Sequence, residues 1–183
     1  MEIINSTRLL GTIVQNNLRW DLNCAEIVRK ANARMEILRR VSSFGAPIED
    51  LKDIYVLFVR SLLEQSAVVW HSSLTKENEQ DLERVQKNAF RIILKNNYQT
   101  YKKALAKLGM ETLNERREIL CLNFAKKCTK NSRTSHMFPK NKKTHDMNTR
   151  KANTYQVQNA VSERLKNSPL IFMQNLLNSE REA

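Results

Sequence analysis

Pro47-Ile48-Glu49-Asp50-Leu51-Lys52-Asp53-Ile54-Tyr55-Val56-Leu57-Phe58-Val59-Arg60-Ser61-Leu62-Leu63-Glu64-Gln65-Ser66-Ala67-Val68-Val69-Trp70 is the stretch that decides the fold. Pro47 is well placed as a first helical residue, because its missing N–H would be unsatisfied there in any case. From Leu51 onward, apolar side chains cover nearly every side of the predicted helix, a pattern that belongs in the middle of a bundle. The most apolar window, Ile54 to Trp70, is interrupted by Arg60, Glu64 and Gln65, and is too short and too polar to span a bilayer. The reading is therefore a core spine. Only 3 Gly and 3 Pro occur in 183 residues, too few for the turns and phosphate loops of a β-sandwich or a dinucleotide-binding fold.

Helical periodicity extends outward from this spine. Upstream, Cys24, Ile27, Val28, Ala31, Met35 and Leu38 recur at helical spacing, with Asp21 or Asn23 able to cap the start. Ser43-Phe44-Gly45-Ala46 ends that helix. Downstream, Thr75 opens a third helix to about Lys95, with Leu82, Val85, Ala89 and Ile93 as its buried stripe. A fourth runs from Thr100 to Leu108 and stops at Gly109, suited to a left-handed C-terminal position. Thr112-Leu113-Asn114-Glu115 reads as a reciprocal capping box. It opens a fifth helix with Leu113, Leu120, Cys121, Phe124, Ala125 and Cys128 along one side. Periodicity then fails over residues 130–154, expected to be a mobile basic loop. Ser168-Pro169 starts a last short amphipathic helix carrying Leu170, Phe172, Met173, Leu176 and Leu177.

The N-terminal segment reads differently. Thr7 to Trp20 suggests one strand and a turn at Asn16-Asn17, and a lone strand cannot stand in water. No second good strand is legible, which hints at a piece cut from a larger sheet. The expected class is mainly α: a bundle of about five to six helices, one short N-terminal strand and a basic, partly irregular C-terminal extension. The expected boundaries are 1–20 for the strand and turn, 21–130 for the bundle, and 131–183 for the basic loop and terminal helix.

Charge is unevenly distributed. The chain carries 31 Lys+Arg against 19 Asp+Glu, a net +12. Residues 47–74 are net −2, whereas residues 99–154 hold 14 basic and 4 acidic side chains, net +10. Such segregation is expected of a polyanion-facing surface, the alternative being a solvated lysine-rich tail kept for solubility. The ridge Arg84, Lys87, Arg91 and Lys95 has another explanation, since acids at the start of that helix and bases at its end complement its dipole. Three cysteines point to a reducing compartment. Met1-Glu2-Ile3-Ile4-Asn5-Ser6 lacks the pattern of a signal peptide. The expected setting is intracellular, in nucleus or cytoplasm, without a membrane.

Enzymatic chemistry is hard to find. No Asp-Asp pair, Gly-rich phosphate loop or nucleophile elbow occurs, and His71, His136 and His145 have no partner at helical ligand spacing. Cys121, Cys128, His136 and His145 match no common zinc spacing; the two cysteines, seven apart, read as core residues. Arg117 lies between Leu113 and Leu120 on the apolar stripe, where Glu64 or Glu115 could pair with it at the edge of the core. Gln86 sits beside the third helix's stripe, and a buried amide there needs backbone partners. Trp20 and Trp70 read as packing residues.

Several pieces, taken in order, resemble the region after the catalytic core of non-LTR (LINE-like, jockey/CR1-type) retrotransposon reverse transcriptases. Leu10-Gly11-Thr12-Ile13 through Leu18-Arg19-Trp20 resembles the family's strand leaving the palm. Ala31 through Leu38-Arg39-Arg40 resembles its "K-A-x-x-x-L-x-x-L-R-R" helix. Leu62 through Trp70 resembles "P-I-L-x-Y-x-s-x-x-W", and Leu82 through Ile93 resembles "L-x-x-V/I-Q-x-x-A-x-R-x-I". Leu108-Gly109-Met110 to Leu113 with Arg116-Arg117 resembles "L-G-x-x-x-L-x-x-R-R". Thr149-Arg150, Asn167-Ser168-Pro169-Leu170 and Leu176-Leu177-Asn178 resemble the closing pieces. Gln65 stands where the family usually has an aromatic, and Gln15 near its usual Asp.

The resemblance implies thumb and post-thumb helices that grip a template–primer duplex. The fingers and the palm, with its Asp-Asp site and Mg2+, would lie upstream. On this expectation the chain is not an enzyme alone and needs no cofactor. Its partner is RNA or RNA–DNA duplex, together with the palm and fingers of a reverse transcriptase. The expected phosphate contacts are Lys102, Lys103, Lys107, Arg116, Lys126, Lys127 and Lys130, then Lys140, Lys142, Lys143, Arg150 and Lys151 in the loop. The rival readings are a domesticated helical protein–protein interaction domain and, at lower rank, a small metal-dependent domain.

Overall fold

A computed structural model describes residues 4–141 and 154–182 of the chain. The protein is mainly α, with one short antiparallel hairpin at its N-terminus. It divides into two compact units. The first holds the described residues up to Ala67 together with Leu74–Arg117; the second holds Val68–Ser73 and the described residues from Glu118 onward.

In the first unit the N-terminal segment forms two strands, not one. β1 (Ser6–Leu9) pairs antiparallel with β2 (Thr12–Gln15), Leu9 opposite Thr12, so a two-residue turn of Leu10-Gly11 joins them. Both turn residues have positive φ, 49° and 86°, as the tight hairpin turn matching strand twist requires. Leu in that position disguises the turn, since Asn or Gly usually marks it. The hairpin is fastened to α1 (Asp21–Ser43) through Asn23, whose buried Oδ1 accepts from the Ile13 N–H at 3.0 Å. Gln15 Oε1 accepts from the Leu22 N–H at 3.2 Å, satisfying one of the orphan donors of the first turn. Neither Asp21 nor Asn23 caps α1; Trp20 stands at the cap position.

The expected spine is broken twice. α2 (Ile48–Ile54) passes into a six-residue π-helical stretch, Tyr55–Arg60, followed by α3 (Ser61–Glu64). Tyr55 and Val59 are buried, but Leu57 is 67% exposed and Phe58 47% exposed, so this helix is not enclosed on all sides. The wider turn places two carbonyls within reach of side chains: Arg34 donates to Phe58 O at 2.7 Å and Ser61 Oγ to Leu57 O at 2.6 Å. The chain then bends at Gln65-Ser66, where Ser66 has φ 54°. Gln65 Nε2 lies 2.8 Å from where a Cβ on Gly11 would stand, so the hairpin turn packs directly on this bend.

α5 (Lys76–Leu94) packs along α1. Thr75 caps it, its side chain accepting from the Asn78 N–H, and Leu82, Val85, Ala89, Phe90 and Ile93 are buried. α6 (Tyr101–Leu108) begins at the Thr100 cap and ends on Gly109 at φ 59°, in the left-handed region. The capping box before α7 (Leu113–Lys130) is formed in both directions. Thr112 N donates to Glu115 Oε2 at 2.9 Å, and Glu115 N to Thr112 Oγ1 at 3.2 Å. Gln86 is fully buried: Nε2 donates to the Tyr101 hydroxyl at 2.8 Å and to Glu111 O at 3.0 Å, while Oε1 accepts from Tyr55.

In the second unit α4 (Ala67–Trp70) contributes Val68 and the fully buried Trp70. Cys121, Ala125 and Cys128 of α7 form an apolar cluster with Phe138, Tyr155, and Met173 and Leu177 of α9 (Pro169–Glu182). Phe124, expected on the buried side of α7, is exposed. The described part of the expected loop is anchored through Phe138. Phe138 is buried against Tyr155 with rings 6.4 Å apart, and Lys140 bridges Tyr155 as an isolated antiparallel pair. Asn178 holds the Tyr155 backbone from both sides, accepting from its N–H at 2.7 Å and donating to its carbonyl at 3.0 Å. α8 (Glu163–Lys166) is a single turn capped by Ser162.

Candidate nucleic-acid interface

Each unit presents its own set of cations. In the first, α6 turns Ala104 and Leu108 inward, which leaves Lys102, Lys103 and Lys107 exposed on the outer side. None of the three is ion-paired among the described residues, although Lys103 Nζ donates to Gln99 Oε1 at 2.7 Å. The helix contains no acid. Three ammonium groups so placed repel one another and attract a polyanion.

Arg116 is differently placed. Its guanidinium is half-buried between two carboxylates, Nε 3.2 Å from Glu64 Oε1 and NH1 3.6 Å from Glu111 Oε1. Glu64 also holds Arg60 at 3.2 Å. Arg116 thus ties the start of α7 to α3, and its charge is already matched. Its neighbour Arg117 is fully buried in the same unit. Glu115 is committed to the capping box, and the two backbone and side-chain hydrogen bonds from Thr112 hold its carboxyl below the usual range.

In the second unit Lys127 and Lys130 are exposed in the last turns of α7, where positive charge also complements the helix dipole. Lys126 is half-buried and paired with Glu180 of α9. Lys140 is exposed on its short bridge to Tyr155. Lys142, Lys143, Arg150 and Lys151 lie outside the described residues.

The α5 ridge is more than a dipole complement. Residues 84–110 hold seven Lys and Arg and no Asp or Glu. This acid-free run is legible in the sequence, but a charge count started at residue 99 cuts it in half. The structure folds it into the second half of α5 and the whole of α6, side by side in one unit. Lys87 Nζ lies over the Tyr101 ring, 5.1 Å from its centre, and Arg91 Cζ over the Tyr98 ring at 5.5 Å. Arg84 pairs with Asp81 at 2.7 Å, and Lys95 Nζ donates to Ser42 O at 2.6 Å, closing the last turn of α1.

Tyr101 anchors this corner. Its hydroxyl donates to Glu83, whose carboxylate also accepts from the Leu113 N–H at 3.2 Å. Burial first, and then Glu83, pushes the Tyr101 hydroxyl well above the usual range, so it stays a neutral donor. Among the described residues no group of three or more His, Cys, Asp and Glu side chains is placed to hold a metal ion. Nor is any helix there long and apolar enough to cross a membrane. No family model, no curated protein and no solved structure matches the chain.

Proposed function

We propose that the chain is the thumb-like, C-terminal part of a non-LTR reverse transcriptase, holding RNA or RNA–DNA duplex by its sugar–phosphate backbone. The observation that carries this reading is the outer side of α6, where Lys102, Lys103 and Lys107 are exposed without ion pairs among the described residues. Lysines of this kind contribute affinity through counterion release and read no sequence. Lys127, Lys130 and Lys140 add exposed charge in the second unit. Arg116 and Lys126, being matched by carboxylates, contribute less. The ancestry rests on the ordered motifs from Leu10-Gly11 to Leu176-Leu177-Asn178. On this reading the chain supplies grip and no bond-making step; the Asp pair and Mg2+ of such a polymerase belong to its palm.

A titration of labelled RNA–DNA hybrid with the full chain tests the proposal. Binding at low salt, equal for unrelated sequences and weakened in Lys102→Gln/Lys103→Gln/Lys107→Gln, supports it. Failure to bind any nucleic acid at low salt overturns it.

A second reading has one specific observation in its favour. Leu57 and Phe58 are exposed beside Asp50 and Asp53 on the same helical segment, a surface suited to a protein partner. Capture of a partner that Leu57→Ser/Phe58→Ser abolishes, with no binding of nucleic acid, would favour this reading over the first.

A further inference from the structure

The junction of α5 and α6 joins two features that duplex gripping alone does not need. One is the acid-free run of residues 84–110; the other is a pair of tyrosines within it, each covered on one side by a cation. Tyr101 is spoken for, because its hydroxyl is locked to Glu83 and Gln86. Tyr98 is not so locked. It lies in the connection before α6, half-buried, with Arg91 over its ring, and the Arg91 side chain is exposed and steadied by its bond to Asn88 Oδ1 at 2.9 Å. Four and five residues further along the chain come the exposed Lys102 and Lys103. A nucleobase stacks on an aromatic ring or on a guanidinium plane, and every base has a face that can do so. A cationic surface with a stacking group at one end is the design of sites for unpaired strands.

We propose that Arg91 and Tyr98 form a stacking site for an unpaired base of single-stranded nucleic acid, whose flanking phosphates lie against Lys102 and Lys103. The site rests on the reading of this surface as a nucleic-acid grip and deepens it: the α5–α6 corner receives the strand where it leaves the duplex. The base is held by its face, so the site takes any sequence. Ribose and deoxyribose strands share this chemistry.

The test compares three short labelled strands of equal length with the full chain: oligothymidylate, oligouridylate, and an abasic strand with the same phosphates. The expected result is binding of both base-bearing strands about tenfold tighter than the abasic strand. Tyr98→Ala should remove most of that difference and leave abasic binding unchanged, whereas Tyr98→Trp should retain it. Lys102→Gln/Lys103→Gln should weaken all three strands by a similar factor. A further strand, oligodeoxyuridylate, which differs from oligouridylate in the sugar alone, identifies the preferred sugar. Equal affinity of wild-type protein for base-bearing and abasic strands overturns the stacking site, and needs no variant to fold. If those strands tie while RNA–DNA hybrid still binds, only this inference falls; if no nucleic acid binds, the duplex grip falls with it.

Discussion

The Tyr55 hydroxyl donates to Gln86 Oε1 at 2.6 Å inside the first unit, with both side chains fully buried. This bond links the π-helical stretch to α5. Through the Gln86 amide it continues to the Tyr101 hydroxyl and the Glu111 carbonyl. Burial pushes the Tyr55 hydroxyl well above the usual range, so it remains a donor at neutral pH. A buried polar group without its partner costs about 1–3 kcal/mol. Gln86→Leu should therefore destabilise the protein by about 3 kcal/mol, since it strands the Tyr55 hydroxyl and the Glu111 carbonyl and takes one of the two partners of the Tyr101 hydroxyl, which keeps Glu83. Tyr55→Phe, which strands only Oε1, should cost about half as much. Urea unfolding of the two variants checks the order.

The hairpin turn carries a removable strain. Leu10 sits at φ 49° and is 90% exposed, a conformation that Asn tolerates and Leu does not favour. Leu10→Asn should stabilise the fold by about 1 kcal/mol. Gly11→Ala should do the opposite, because its Cβ would meet Gln65 Nε2 at 2.8 Å in a backbone region of positive φ. Thermal melting measured side by side should move in opposite directions.

Acid should loosen the tie between hairpin and α1. Glu26 pairs with Arg29, Lys30 and, across from β1, Arg8. The Arg29 hydrogen bond, with help from Lys30, holds its carboxyl at about 2. A carboxyl lowered on folding stabilises the native state above its unfolded value and loses that contribution as pH falls toward the folded one. The contribution of Glu26 should thus be intact at neutral pH and fade between about 4.5 and 2. A carboxylate titration by NMR checks the midpoint, and Glu26→Gln should flatten the acid limb of stability.

Cys24 should be inert while the chain is folded. Burial pushes its thiol up to about 12, so no thiolate is available at neutral pH. In a Cys121→Ser/Cys128→Ser background, iodoacetamide should label Cys24 only on unfolding. Labelling at the rate of a free thiol in native buffer would place Cys24 at the surface.

Local signals in the sequence were sufficient at most helix ends, though not at the start of α1, where neither Asp21 nor Asn23 caps, nor at the Leu10-Gly11 turn. Thr75, Thr100, Gly109 and the Thr112–Glu115 box end or start helices where capping chemistry says they should, and buried Gln86 found a backbone partner as a buried amide must. What the pattern could not show were features set by distant residues. Ser66 takes a positive φ at a bend on which the hairpin turn packs, and the π-helical stretch has its Phe58 carbonyl engaged by Arg34, 24 residues away. The apolar run around Leu57 read as core because composition does not reveal which side a widened turn leaves outside. Within the candidate site, exposed Lys102, Lys103 and Lys107 were legible from helical spacing. The pairing of Arg116 with Glu64, 52 residues away, and of Lys126 with Glu180, 54 away, was not. Tyr98 was missed because its cation, Arg91, comes from the preceding helix.

The most direct test of the grip is the salt dependence of binding to RNA–DNA hybrid. Each phosphate contact steepens the fall of log K with log salt by roughly 0.7–0.9. Replacing Lys102, Lys103 and Lys107 together by Gln should flatten the slope by roughly two to three units. Replacing the carboxylate-matched Lys126 should leave it nearly unchanged. A slope that does not respond to loss of the three exposed lysines of α6 would contradict the account.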